Sequence, residues 1–352
     1  MKNPTKIHLL FIIALLSLFI VFIAYRLWIL SEGITNILSS QENAVPKDVT
    51  SIKSITFEKT ATNIGINKNG IHGLCMYYDT RDSKSIATLI MCDFNNSKIY
   101  VYSELTPDVW TERQTLDVGS VAPQPTGVCV SKDGTRLIVV SRGKKNVCMS
   151  TMDNTGKYSM PKPISNEQIN DPVSPSMTPD GNMIIIPMQN GPGIKQGVLK
   201  GSEYEFKMLS MMNMPVRSYF GSCINKEGTK IAYTTTTDNK VYVSNLKGSE
   251  VKDQVEIKGP IRGTVREVMF SKIDENVLFV TNLNKSGDAN LQYSIYKNGK
   301  WSELVDNTGT IPANFNNTGF VIGDNNTVYI SQYTDPNISS GIHKFQYKTV
   351  NE

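Results

Sequence analysis

Residues 126–141 read TGVCVSKDGTRLIVVS, two apolar, β-branched runs joined through Lys132, Asp133 and Gly134. An Asp-Gly pair between such runs is the strongest short-range signal of a β-hairpin, because the turn needs residues that tolerate positive φ. A lone hairpin is marginal in water, so this one must pair and pack with other strands. Similar stretches follow: SPSMTPDGNMIIIPMQ at 174–189, GSCINKEGTKIAYTTT at 221–236, EVMFSKIDENVLFVTN at 267–282 and GFVIGDNNTVYISQY at 319–333. The turn residues Gly134, Gly181 and Gly228 fall 47 residues apart, and Asn276 and Asn326 follow after 48 and 50.

A repeat of this length built from strands alone is the period of a propeller blade. Each copy continues into two further strand-like runs, the third reading KIYVYSEL, KNVCMSTMD, KQGVLKGSE, KVYVSNLKG, LQYSIYKNG and GIHKFQYKT in turn. The expected fold is therefore all-β, a six-bladed β-propeller of four-stranded blades over residues 49–352. TNIGINKNGIHGLCMYY at 62–78 reads as the earliest copy, turning at Gly70, with an insertion near DTRDSKS accounting for its 64-residue distance from Gly134. Only five fourth strands follow their own blades. The sixth is expected from residues 51–59, SIKSITFEK, which would close the ring and protect edges that otherwise invite aggregation.

The run GKYSMPKPISNEQINDPVSPSMTPDGNMIII at 156–186 resembles the TolB-type, WD-like propeller repeat. The matching positions are Tyr158, Ser159, Pro161, Pro175, Ser176, Pro179, Asp180 and Gly181. Neighbouring copies keep the aromatic at Trp110 and Trp301 but replace Pro-Asp-Gly by Lys132-Asp133-Gly134 or Lys226-Glu227-Gly228. The resemblance implies a fold strongly and a function hardly at all, since such propellers serve as binding platforms, assembly factors and sometimes enzymes.

Ahead of the repeats lies IHLLFIIALLSLFIVFIAY, residues 7–25, an uncharged run long enough to cross a bilayer, which takes about 20 residues. It is longer than a secretory signal core and lacks a small-residue cleavage pattern. Residues 1–30 are thus expected to hold a short tail and a transmembrane helix, a signal-anchor, and 31–48 a polar linker. Lys2 and Lys6 precede the span and only Arg26 immediately follows it, which favours a cytoplasmic N-terminus and an extracytoplasmic body in a single-pass protein. The net charge of +4 is small and its charges alternate in sign, so no nucleic-acid partner is expected. The five cysteines show no C-x-x-C or zinc spacing, and a Cys75–Cys92 disulfide stays open for an oxidising compartment.

Chemistry is sparse in the sequence. Asp133, Asp180 and Glu227 beside turn glycines are turn formers rather than a carboxylate set. The methionines of 208–215 read as packing. Of His8, His72 and His343, none accompanies a G-x-S-x-G elbow, so no catalytic residue is assigned. The channel mouth, where each fourth strand leads into the next innermost strand, is the expected binding face. Its candidate residues are Arg217, Tyr219, Arg262 and Arg266, a basic, aromatic-edged lip for a small anionic ligand or an acidic protein segment, together with Glu267, Asn63 and Asn317. The leading expectation is a membrane-tethered binding or assembly module. The alternative is a propeller hydrolase or lactonase that uses a channel-held divalent cation such as calcium; no other cofactor is expected.

Overall fold

The computed structural model describes residues 52–57, 62–68, 70–81, 85–165, 167–191, 193–211, 219–261, 263–283, 289–306, 319–323, 325–331 and 341–351. The anchor expected at 7–25 and the linker at 31–48 lie outside them, and among the described residues no helix is long and apolar enough to cross a membrane.

The repeats fold as six antiparallel blades of four strands. Blade 1 runs Ile71–Asp79, Ile86–Asp93, Lys98–Thr106 and Val109–Asp117; blade 2 runs Pro125–Val130, Arg136–Ser141, Asn146–Thr151 and Lys162–Pro163. Blade 3 comprises Ser176–Met177, Met183–Pro187, Ile194–Lys200 and Glu203–Met208. Blade 4 comprises Tyr219–Ile224, Lys230–Thr235, Lys240–Lys247 and Glu250–Ile257, with Ser210–Met211 laid parallel outside the last. Blade 5 has Thr264–Phe270, Val277–Leu283 and Ala289–Lys297, its outer strand split into Lys300–Trp301 and Val305–Asp306. The first strand of each blade is innermost, and each inner strand packs against that of the next blade, the sixth returning to the first.

Blade 6 is built from both ends of the propeller. Phe320–Ile322, Thr327–Ser331 and Gly341–Asn351 come last in the chain, and the outer edge of Gly341–Asn351 is covered by Ile52–Phe57 and then Thr62–Asn67. Phe57 fastens this closure, its ring lying 6.1 Å from Phe279 of blade 5 and 5.9 Å from both Phe345 and Tyr347. The expected first copy is therefore corrected by one strand. Thr62–Asn67 belongs to blade 6, blade 1 begins at Ile71, and its first hairpin joins Ile71–Asp79 to Ile86–Asp93, so Gly70 is not its turn. The 64-residue distance from Gly70 to Gly134 therefore does not measure a blade repeat.

The core is six clusters, one between each pair of neighbouring blades. Second strands such as RLIVVS and TVYIS are buried on both faces, which is why they read as unbroken apolar runs rather than alternating ones. The hairpin tips are braced locally. Asp133 accepts from the Ser131 hydroxyl at 2.6 Å and the Thr135 amide at 3.0 Å, and Asp180 does the same with Thr178 at 2.6 Å and Asn182 at 2.9 Å. The fourth-strand tyrosines tie back to these tips: the Tyr158 hydroxyl donates to the Gly134 carbonyl at 2.6 Å, and Tyr204 donates likewise to Gly181. The repeated Asp-Gly turns are structural, anchored from inside their own blades. All five cysteines are free and buried, so no Cys75–Cys92 bond forms.

Candidate functional site at the strand-entrance end of the channel

With blade 1 starting at Ile71, the copies align in one register. The second residue of each inner-strand entrance is Gly73, Gly127, Ser174, Gly221, Glu267 and Gly319 around the ring. Glycine is required here by close approach of neighbouring inner strands. A Cβ on Gly127 would sit 2.5 Å from the Pro175 ring and 2.8 Å from the Ser174 nitrogen, and one on Gly221 would sit 2.5 Å from the Arg266 carbonyl oxygen. Pairing shifts register by a bulge at this level in blades 1, 2, 4 and 5, the device by which strands re-aim side chains near sites.

Only Ser174 and Glu267 carry side chains in this layer, and they hydrogen-bond to each other, the Ser174 hydroxyl donating to Glu267 Oε1. The bond joins the entrance of blade 3 to the inner strand of blade 5. Both ends are held. The Glu267 amide donates to Thr281 Oγ1 at 3.1 Å, and the carbonyl of Arg266 accepts from Thr234 Oγ1 at 2.6 Å. Ser174 sits at φ 35°, a left-handed conformation that a non-glycine residue adopts at a cost of order 1–3 kcal/mol and that clusters at functional sites. Burial lifts the Glu267 carboxyl from 4.5 to about 7, against the hydrogen bond from Ser174 and the charge of Arg266, which both favour ionisation. The Arg266 guanidinium lies over the Phe220 ring, 4.4 Å from its centroid. A half-buried acid poised near neutrality beside a hydroxyl and a cation is equipped for proton transfer.

A second group lies on the loops of blades 1 to 3 at the same end. Arg142 pairs with Asp171 at 2.6 Å and donates to Gln189 Oε1 at 2.6 Å, while Asn190 holds the other oxygen of Asp171. The His72 ring stacks on Phe94 at 4.6 Å, and burial together with the Arg142 charge lowers its pKa to about 4 despite Asp93. His72 is thus neutral across the physiological range.

The expected site residues separate. Arg266 and Glu267 lie in the inner strand Thr264–Phe270 of blade 5. Tyr219 does not form a lip: it is 1% exposed and packs edge-on against Tyr233 at 5.8 Å, because the bulge after it turns its side chain between blades 3 and 4. Asn63 lies on the outer edge of blade 6, its Oδ1 accepting from the Gly65 amide at 2.8 Å, far from the axis by the one-strand correction above. Arg217, Arg262 and Asn317 fall outside the described residues. Ser174 was overlooked as a partner for Glu267, although lining up the six entrances shows it as the other departure from glycine.

A hard divalent cation takes six or more oxygen ligands. The axial layer offers one carboxylate and one hydroxyl, and among the described residues no three His, Cys, Asp or Glu side chains converge as a metal set. The residues described do not fit a calcium-type site.

No protein-family model matches the chain, and no curated protein matches it. Solved structures do. The chain is similar to a gluconolactonase from Xanthomonas campestris at 10% identity and a TM-score of 0.55, over 82% of this chain and 89% of that one. It is similar to a luciferin-regenerating enzyme at 12% identity and a TM-score of 0.56, over 85% and 98% of the two chains. It is also similar to the PQQ-bound form of an aldose sugar dehydrogenase from Streptomyces coelicolor at 10% identity and a TM-score of 0.55, over 84% and 99%. At these identities the likeness shows a six-bladed propeller of four-stranded blades. It does not extend to the TolB-type family that the 156–186 repeat resembles, which leaves that resemblance as one of repeat architecture.

Proposed function

We propose that the protein is a hydrolase of small lactones or esters, with Glu267 as its proton-transfer group. The observation that carries this reading is the Glu267 carboxyl itself: the one acid of the axial layer, hydrogen-bonded to Ser174 and raised to about 7 by burial. Support comes from the enzymes among the similar propellers, a gluconolactonase included. The ionised carboxylate takes a proton from water as that water attacks the substrate carbonyl carbon. The new C–O bond forms, the lactone C–O bond breaks, and the carboxyl returns the proton to the departing ring oxygen. Ser174 orients the carboxylate, and Arg266 supplies positive charge toward the oxyanion and the acid product. No step is routed through a metal ion. The body is placed on the extracytoplasmic side, tethered through residues 7–25, so the substrate is a small molecule met there. The binding-module reading is weaker, since Tyr219 of its lip is a core residue.

The test is hydrolysis of glucono-1,5-lactone and of aryl acetates by the full-length protein, followed with a pH indicator and with and without EDTA. Glu267→Gln is expected to lower kcat/KM by about 100-fold or more, the usual contribution of a general acid–base, with EDTA leaving the rate unchanged. Equal rates for wild type and Glu267→Gln, or no hydrolysis above background, overturn the assignment. Loss of activity on chelation would transfer the chemistry to a metal.

A further inference from the structure

The opposite half of the channel is a different place. Beyond the glycine layer, toward the hairpin tips, the six inner strands enclose a cavity of about 280 Å³. One register of the repeat lines its wall: Cys75, Cys129, Ser176, Cys223, Met269 and Val321, one from each blade in order. The Ser176 hydroxyl is already engaged, donated to by the Ile224 amide at 2.8 Å, and burial keeps the three thiols protonated. Neutral thiols and a thioether behave as soft apolar surface.

The mouth of the cavity, at the tips of blades 2, 4 and 5, is cationic. Lys132, Lys226 and Lys272 line it, and the Lys272 ammonium is drawn across to blade 1, donating to the Met76 carbonyl at 3.2 Å. Against them stand Glu275 and Glu227. Glu275 accepts from the Lys226 amide at 2.5 Å and from Asn225 at 3.2 Å, and burial with the neighbouring Glu227 raises its pKa. Glu227 pairs with Lys226 at 3.4 Å. Three lysines thus face two carboxyls, one of which resists ionisation.

We propose that this cavity is a second binding site, for a small amphiphilic carboxylate whose hydrocarbon part stands among the thiols and whose head meets the lysines. Its volume, at about 30 Å³ per water-sized group, holds roughly nine non-hydrogen atoms, the size of an eight-carbon acid or slightly less. The site is separate from Glu267: neither Ser174 nor Glu267 lines the cavity. It therefore stands or falls independently of the proposed hydrolysis.

The test uses the full-length protein in lipid nanodiscs, titrated with octanoate carrying 13C at the carboxyl and followed by NMR, with empty nanodiscs subtracted. Saturable binding of one octanoate per chain is expected. It should weaken about tenfold in the combined variant Lys132→Glu, Lys226→Glu, both exposed positions, since rim ion pairs contribute up to about 1 kcal/mol each. Butyrate should bind at least tenfold more weakly because it lacks four buried methylenes, each worth about 0.8 kcal/mol. Octylammonium should not bind, and Glu267→Gln should leave octanoate binding unchanged. Uptake no greater than that of empty nanodiscs, equal affinity in the lysine variant, or loss of binding in Glu267→Gln would each overturn the proposal, the last by assigning the ligand to the other end.

Discussion

Replacing Glu267 by glutamine should make the protein more stable at pH 8 while disabling it. The folded chain ionises this carboxyl at about 7 rather than 4.5. The sign follows from proton binding: the folded state holds the proton more tightly, so the stabilising contribution is complete below pH 4.5 and is lost as pH rises through 7. A shift of that size corresponds to about 3 kcal/mol, and somewhat less where channel water screens the charge. Glutamine keeps the shape of the neutral acid and never ionises, so the variant and wild type should have equal stability near pH 4 and diverge above it. At roughly 2 °C per kcal/mol in a body of this size, the thermal midpoint of Glu267→Gln should stand about 6 °C above wild type at pH 8. Scanning calorimetry of both proteins at half-unit steps from pH 4 to 8.5 reads the difference directly, and other titrating groups cancel between them. The pH profile of lactone hydrolysis should rise through the same apparent value as the base is unmasked. A midpoint difference that stays flat across this range would refute the desolvated carboxyl and the mechanism built on it.

Further outcomes follow from other sites. His72 is lowered to about 4, so the neutral folded form loses stability as pH falls from 6.5 toward 4; His72→Gln should remove about 2 kcal/mol of acid loss between pH 7 and pH 4.5, checked by urea unfolding at those two values. Gly127→Ala would press a methyl against Pro175 and the Ser174 backbone and should cost about 1–3 kcal/mol. Because the same contact moves Ser174, it should also lower lactone turnover, and a stable, fully active Gly127→Ala protein would contradict the close-packed layer. Tyr158→Phe removes only the hydroxyl that holds the Gly134 carbonyl and should cost about 1 kcal/mol with activity unchanged, read by chemical denaturation. Deleting residues 51–59 strips Ile52, Ile55 and Phe57 from the core and bares the Tyr347–Asn351 part of the outer edge, so the truncated protein should aggregate in light scattering at concentrations where wild type stays dispersed.

The repeat was legible because the physics of a blade is local. An Asp-Gly turn, an apolar second strand buried on both faces and a fourth-strand aromatic recur at near-constant spacing, and each is dictated by neighbours within one blade or the next. The first copy misled for the same reason. Thr62–Asn67 followed by Gly70 has the composition of an inner hairpin, but its partner is His343 and its neighbours, hundreds of residues away, and no local signal reports a pairing made by ring closure. The error carried Asn63 with it to the outer edge of blade 6. Tyr219 failed differently. Its place in the repeat was right, but a bulge between Tyr219 and Ser222 reversed which way its ring points, and a single residue of slip exchanges the two faces of a strand.

What the alignment could have supplied is the functional layer. Four of its six positions are glycine, and at Gly73, Gly127 and Gly221 an added Cβ would fall within 3 Å of the neighbouring blade. Ser174 and Glu267 meet through a hydrogen bond, and Gly221 packs on the backbone at Arg266 and Glu267. In Gly221→Ala the added methyl would lie 2.5 Å from the Arg266 carbonyl oxygen and 2.8 Å from the Glu267 Cα. Moving that backbone should cost about 1–3 kcal/mol and let water reach the carboxyl, dropping its pKa back toward 4.5. The pH–rate profile should then shift its rising limb to lower pH, even where kcat falls. An unchanged limb in a folded Gly221→Ala protein would mean that the close packing of Gly221 on the Glu267 backbone does not set the Glu267 pKa.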